Sequence, residues 1–135
     1  MANTRILLVE DDEAVRDMLT QLLTRSKHTV ECAVDGEDAI EVLKGFKPDM
    51  MVTDIIMPKK SGTELIEEVK GNLPDLAVIA ISGGGRSDPI GYLDLSEELG
   101  AAVSFAKPVD NEALLMSIDL LLMGKKLEAE ALGTA

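Results

Sequence analysis

At 135 residues, with 46% hydrophobic and 28% charged residues, the chain has the makeup of one globular domain large enough to bury a core. Its net charge of −12 argues against direct, nonspecific binding to nucleic acid, and a single cysteine, Cys32, excludes an internal disulfide or a cysteine-built metal cluster. No run approaches the roughly 20 apolar residues that span a bilayer, and Met1–Ile6 lacks the cationic start and apolar stretch of a secretory signal, so a cytoplasmic protein without membrane insertion is expected.

Arg5-Ile6-Leu7-Leu8-Val9 is a continuous aliphatic run, as expected of a strand buried on both faces of a parallel sheet. Acids follow it, Glu10-Asp11-Asp12-Glu13, and Asp12 or Glu13 is placed to cap a helix striped by Val15, Met18, Leu19, Leu22 and Leu23. His28–Val34 reads as a weaker strand and Asp35-Gly36-Glu37 as a turn. Ala39, Ile40, Val42, Leu43 and Phe46 stripe a second helix, which Lys47-Pro48-Asp49 breaks.

The run Met50–Thr53 is a short buried strand that ends on a carboxylate, Asp54, before Met57-Pro58 stops regular structure. A loop over Lys59–Gly62 leads to a helix marked by Leu65, Ile66 and Val69, and Asn72–Asp75 closes it. Leu76–Ile81 is a fourth strand, followed by the glycine loop Ser82–Arg86. Ile90, Tyr92, Leu93, Leu95 and Leu99 suggest a fourth helix, started by Asp88-Pro89 and ended by Gly100. Ala101–Ala106 is a fifth strand and runs into Lys107-Pro108. A last helix carries Leu114, Leu115, Ile118, Leu121 and Leu122 behind a cap at Asp110 or Asn111. The expected domain is 1–123, with 124–135 a short tail that either extends the helix or is disordered.

Strict alternation of five strands and five helices implies right-handed β-α-β units, a parallel sheet and helices on both faces. Ligands in such sheets bind beyond the carboxyl ends of the strands, which makes Glu10-Asp11-Asp12, Asp54, Ser82 and Lys107 the residues of interest. Each alone has an ordinary reading, as a helix cap, a turn former, loop chemistry or a solvated lysine. Their shared rim favours another. Crowded carboxylates repel unless a cation intervenes, and oxygen ligands suit Mg²⁺ (or Mn²⁺) where no histidine or cysteine competes. One carboxylate is then left to attack phosphorus, while Lys107 and Ser82 receive the phosphoryl oxygens.

These residues resemble the receiver domain of two-component response regulators, over roughly residues 4–123. The marks are Leu8-Val9-Glu10-Asp11-Asp12-Glu13, Asp54-Ile55-Ile56-Met57-Pro58 with Gly62, Ile81-Ser82, Gly100-Ala101 and Lys107-Pro108. The resemblance implies a doubly wound flavodoxin-like α/β fold, (βα)5, with strand order 2-1-3-4-5 and a cis Lys107-Pro108 bond. It implies that Asp54 is the phosphoacceptor and that Asp11, Asp54 and the Ile56 backbone carbonyl bind the metal, with Glu10 holding it through water. Asp12 is then secondary, a flanking cap. Ser82 and Lys107 match the family's phosphate-sensing hydroxyl and lysine.

The implied partners are a histidine kinase or phosphotransfer protein and an unknown downstream protein, and a homodimer is compatible with this. The chain reads as a signalling phosphoacceptor, standalone or cut from a longer regulator, rather than an enzyme acting on other molecules. A Mg²⁺-dependent aspartyl-phosphate phosphohydrolase is weaker, because Ile56 stands where a general acid is wanted. A binding-only adaptor would have lost a site residue, and none is lost. One departure stands out: three residues before the lysine, where the family often has Tyr or Phe, is Ser104. Phe105 follows it and is expected on the opposite face of the strand. Switching is then expected to move the Gly83-Gly84-Gly85 loop and the fourth helix.

Overall fold

The computed structural model describes residues 4–55, 57, 60–82 and 96–131, with side chains described through residue 124. Five strands, β1 (Thr4–Val9), β2 (His28–Ala33), β3 (Met50–Asp54), β4 (Ala77–Ser82) and β5 (Val103–Ala106), form one parallel sheet in the order β2-β1-β3-β4-β5. This is the flavodoxin-like order expected. Four helices are described: α1 (Glu13–Arg25), α2 (Gly36–Leu43), α3 (Gly62–Asn72) and α4 (Asn111–Ala131). Asp88, Pro89, Ile90, Tyr92, Leu93 and Leu95, expected in another helix between β4 and β5, and the Gly83–Gly85 loop lie outside the described residues. Ser96–Glu98 is helical, and Gly100 ends that turn with φ of +125°, a conformation open to glycine at little cost.

Alternation along the strands divides the core between two helical layers. Leu7, Val9, Met51 and Val78 face Ala39 of α2 and Leu65, Ile66 and Val69 of α3. Ile6, Leu8, Val52, Ile79 and Ile81 face Leu19 and Leu23 of α1 and Leu114 and Ile118 of α4. Each such aliphatic side chain contributes roughly 1.5–3 kcal/mol through burial. The central strand β3 is buried along its whole length, which explains why its sequence shows no polar alternation.

Element ends depart from expectation for local reasons. Asp35 is a cap rather than part of a turn: its carboxylate accepts from the Asp38 N–H, so α2 starts at Gly36. That helix ends at Leu43, and Phe46 is buried from beyond it. β5 starts at Val103, because the Ala101 N–H donates to the Ser96 carbonyl and closes the preceding turn. The last helix runs on to Ala131. α3 has a capping box, in which Ser61 and Glu64 each accept from the other's N–H.

Candidate functional site

Register sets the site. Val9 pairs with Thr53, Asp54 with Ile81, and Ser82 with Ala106, so the residues that leave β1, β3, β4 and β5 all emerge on one edge. Glu10, Asp54 and Ser82 are buried there; Asp11 and Asp12 are exposed.

The structure brings most of the expected residues together. The Lys107 Nζ lies 3.0 Å from Glu10 Oε1 and 3.2 Å from Asp54 Oδ2. Oxygens of Glu10, Asp11 and Asp54 all lie within 4.8 Å of one another. Asp54 Oδ1 accepts from the Ile55 N–H at 2.8 Å, which fixes the orientation of the carboxylate. Asp12 does not join the cluster among the described residues: its side chain caps α1 through the Val15 N–H, while its own N–H donates to Glu10 Oε2. The Ile56 carbonyl lies outside the described residues. The Lys107–Pro108 peptide is cis, as the resemblance implies.

Ser82 is fully buried, and its hydroxyl has no hydrogen-bond partner among the described residues. A buried unpaired hydroxyl is costly, so such a group calls for a physical reason. Here it stands one residue past the partner of Asp54, and the Lys107 N–H donates to its carbonyl at 2.6 Å.

Two residues away from the strand exits support the site. Arg16 donates to the Glu10 carbonyl at 2.9 Å and the Asp11 carbonyl at 3.4 Å, tying α1 to the acidic turn. Gly62 donates to the Ile55 carbonyl at 2.7 Å, and a Cβ there would fall inside contact distance of the Asp54 carbonyl and the Ile55 Cα. Glycine at 62 is therefore a steric requirement of the Asp54 loop. Gly62 is among the marks of the family resemblance, and this close approach gives that mark a physical reason.

Electrostatics reflect the crowding. Burial pushes the Glu10 carboxyl up to about 7, against the N–H of Asp12 and the Lys107 amine, with Asp54 adding repulsion. Burial also raises the Asp54 carboxyl above its ordinary range despite Lys107. Desolvation pulls the Lys107 amine down, but Glu10 and Asp54 outweigh it and leave the amine above its usual value. Two buried acids that share one lysine are short of positive charge.

Ser104 and Phe105 part company as strand alternation requires. Phe105 packs into the layer with α1 and α4, whereas the Ser104 hydroxyl donates to Glu97 Oε2 at 2.6 Å. No described aromatic occupies the position of the expected switch.

Residues 6–119 match the family model for the response regulator receiver domain. Among curated relatives, the response regulator MprA of Mycobacterium ulcerans is 35% identical over 127 residues, which cover 93% of this chain and 53% of that protein. The chain thus spans about half the length of the curated relatives it matches. Among solved structures, a CheY-like receiver domain protein from Methanospirillum hungatei superimposes with a TM-score of 0.86 at 28% identity, covering 94% of this chain and 99% of that one. A receiver domain from Clostridium thermocellum gives 0.83 at 27%, covering 94% and 98%. No described helix is long and apolar enough to cross a membrane.

Proposed function

The chain belongs to the response regulator receiver domain family of two-component systems, and from that premise we propose that Asp54 accepts a phosphoryl group from a histidine kinase or phosphotransfer protein. The observation that carries this is the meeting of the Asp54 carboxylate with the Lys107 amine and two further acids at one strand edge. An oxygen of Asp54 attacks phosphorus, the bond from phosphorus to the donor nitrogen breaks, and the leaving imidazole takes up a proton. Lys107 shifts from Glu10 and Asp54 toward the transferred oxygens, which carry the charge of the transition state. The Ser82 hydroxyl, without a partner among the described residues, gains a phosphoryl oxygen as acceptor. The receiver unit is residues 1–123, with 124–135 appended.

The donor set fits Mg²⁺ or Mn²⁺: three carboxylates, two of them raised by burial, and no histidine or cysteine among the described residues beside them. Asp11 and Asp54 would hold the ion directly, Glu10 through water, with the Ile56 carbonyl completing the set. The ion supplies charge neutralisation for the incoming phosphoryl group. An apolar cleft of about 440 Å³ lined by Val15, Met18, Leu19, Pro108 and Val109 opens beside Lys107. It suits an approaching protein surface better than a small phosphomonoester, so the role is signalling rather than hydrolysis of outside substrates. Phosphorylation adds up to about two negative charges at Asp54 and shifts a pre-existing equilibrium in the segment around β5 toward a state read by a downstream protein.

Incubation with Mg²⁺ and a small acyl phosphate, followed by intact mass, tests this. One added phosphoryl group, absent in Asp54→Asn, is expected. Addition that survives Asp54→Asn, or steady release of phosphate from phosphomonoesters, would overturn the assignment.

A further inference from the structure

Gly36 opens α2 and is buried. A Cβ at this position would lie 2.5 Å from the Lys60 carbonyl oxygen and 2.6 Å from the Lys60 Cβ. Both are closer than real contacts allow, so the start of α2 and the backbone of Lys60 fit together only because residue 36 has no side chain. Backbone conformation does not demand glycine here, since its φ is not positive. The contact does. Two other glycines set the scale: a Cβ at Gly45, just past α2, or at Gly71, inside α3, would meet nothing within 4 Å.

Neither side of this contact is free to yield. Asp35 is buried and accepts from the Asp38 N–H at 2.8 Å, while Asp38 Oδ2 accepts from the Val34 N–H at 3.0 Å, so two bonds close the turn that enters α2. Opposite it, the Lys60 amine pairs with Glu68 of α3 at 2.7 Å, and Ser61 begins the capping box of that helix. Lys60 is therefore wedged between α2 and α3. It follows Asp54 and comes just before Gly62, which is itself packed against the Asp54 and Ile55 backbone. A push at Lys60 cannot pass through Gly62 and has to go into the loop that leaves β3. We propose that Gly36 is a positioning residue for the Asp54 site. By seating Lys60, it sets the course of that loop, which includes Ile56, whose carbonyl is proposed for the cation. It acts through the loop rather than on the carboxylates. The functional half of this inference rests on the metal-binding reading of Asp54; the seating of Lys60 does not.

Amide magnetic-resonance spectra of the metal-free chain, followed by calorimetric titration with Mg²⁺, test it. Gly36→Ala is compared with Gly71→Ala, which adds the same methyl where a helix has room for it. In Gly36→Ala the Gly62 amide resonance should move and Mg²⁺ should bind at least about fivefold more weakly, whereas Gly71→Ala should leave both as in the wild type. Adding Lys60→Gly to Gly36→Ala removes the side-chain part of the clash and should restore part of the affinity, measured against Lys60→Gly alone. Wild-type affinity or an unmoved Gly62 resonance in Gly36→Ala would overturn the proposal, as would equal changes in Gly71→Ala or no restoration in the double variant. Should Gly36→Ala fail to fold, the double variant takes its place with the Lys60 carbonyl still in the way, and wild-type values in it would overturn the proposal. A wild type that binds no Mg²⁺ would sink the metal-binding reading of Asp54 instead, and the Gly62 resonance alone then decides whether Gly36 seats the loop.

Discussion

The two strands that carry the charged ends of the site differ in nearly every physical respect. β3 lies at the centre of the sheet with all five residues buried, and its last residue, Asp54, is held by the Ile55 N–H and by the close approach of Gly62. β5 is an edge strand of four residues, none fully buried, and the partly buried Lys107 follows it. Ser104, midway along it, is tied down by an exposed hydrogen bond to Glu97. Asp54, the proposed acceptor, is thus fixed by the core, whereas Lys107, the group proposed to answer it, follows a loosely held edge strand. A switch built this way can keep its chemistry in register while its readout moves, since segments with few buried contacts open at low free-energy cost.

Substitutions that strike the fixed half should have the largest effects. Gly62→Ala puts a methyl group against the Asp54 and Ile55 backbone; a loss of about 2–3 kcal/mol in urea unfolding, with impaired phosphoryl acceptance, is expected. An unchanged midpoint would mean that this loop is as yielding as β5.

The buried acid next to Asp54 gives a pH signature. In metal-free protein Glu10 titrates near 7 when folded, against 4.5 as the ordinary value. The folded state therefore holds a proton that the unfolded chain releases. Stability from this group is complete below about 4.5 and is lost as pH rises toward and past 7. Wild type compared with Glu10→Gln in EDTA should lose about 1–3 kcal/mol of relative stability between pH 5 and 8. A difference independent of pH would show that Glu10 is not desolvated.

On the adjustable half, effects should be small. Ser104→Ala removes an exposed bond and should cost about 0.5–1 kcal/mol, while hydrogen exchange at Ser96–Glu98 accelerates. A loss above about 3 kcal/mol would erase the contrast with β3. Ser82, on the strand between the two, gives the smallest change. Its hydroxyl has no described partner, so Ser82→Ala should leave stability within about 0.5 kcal/mol or raise it, yet blunt the response of β5 to a phosphoryl mimic. A marked loss of stability would reveal a hidden partner.

Much of this was readable beforehand, for identifiable reasons. Aliphatic runs at Ile6–Val9, Met50–Val52 and Val78–Ile81 can hardly be anything but buried parallel strands. Parallel topology then places Glu10, Asp54, Ser82 and Lys107 on one edge before any coordinates are known. What escaped is the work of backbone and contacts. Gly62 was legible as a mark of the family resemblance, but neither its approach to Asp54 nor the grip of Arg16 on the acidic turn follows from periodicity or composition. The Ser104–Glu97 bond joins residues whose proximity depends on how Gly100 turns the chain. Asp12 is one carboxylate among several in the sequence, and only local geometry turns it to the α1 N-terminus rather than into the cluster.

Carboxylates from two strand exits, Asp11 after β1 and Asp54 at the end of β3, are proposed to share one divalent cation beside Lys107. Calorimetric titration with Mg²⁺ near pH 7.5 tests it most directly. One ion per chain is expected for the wild type, with affinity reduced at least about tenfold in Asp11→Asn and in Asp54→Asn. Binding that is equally tight in both variants would contradict the account.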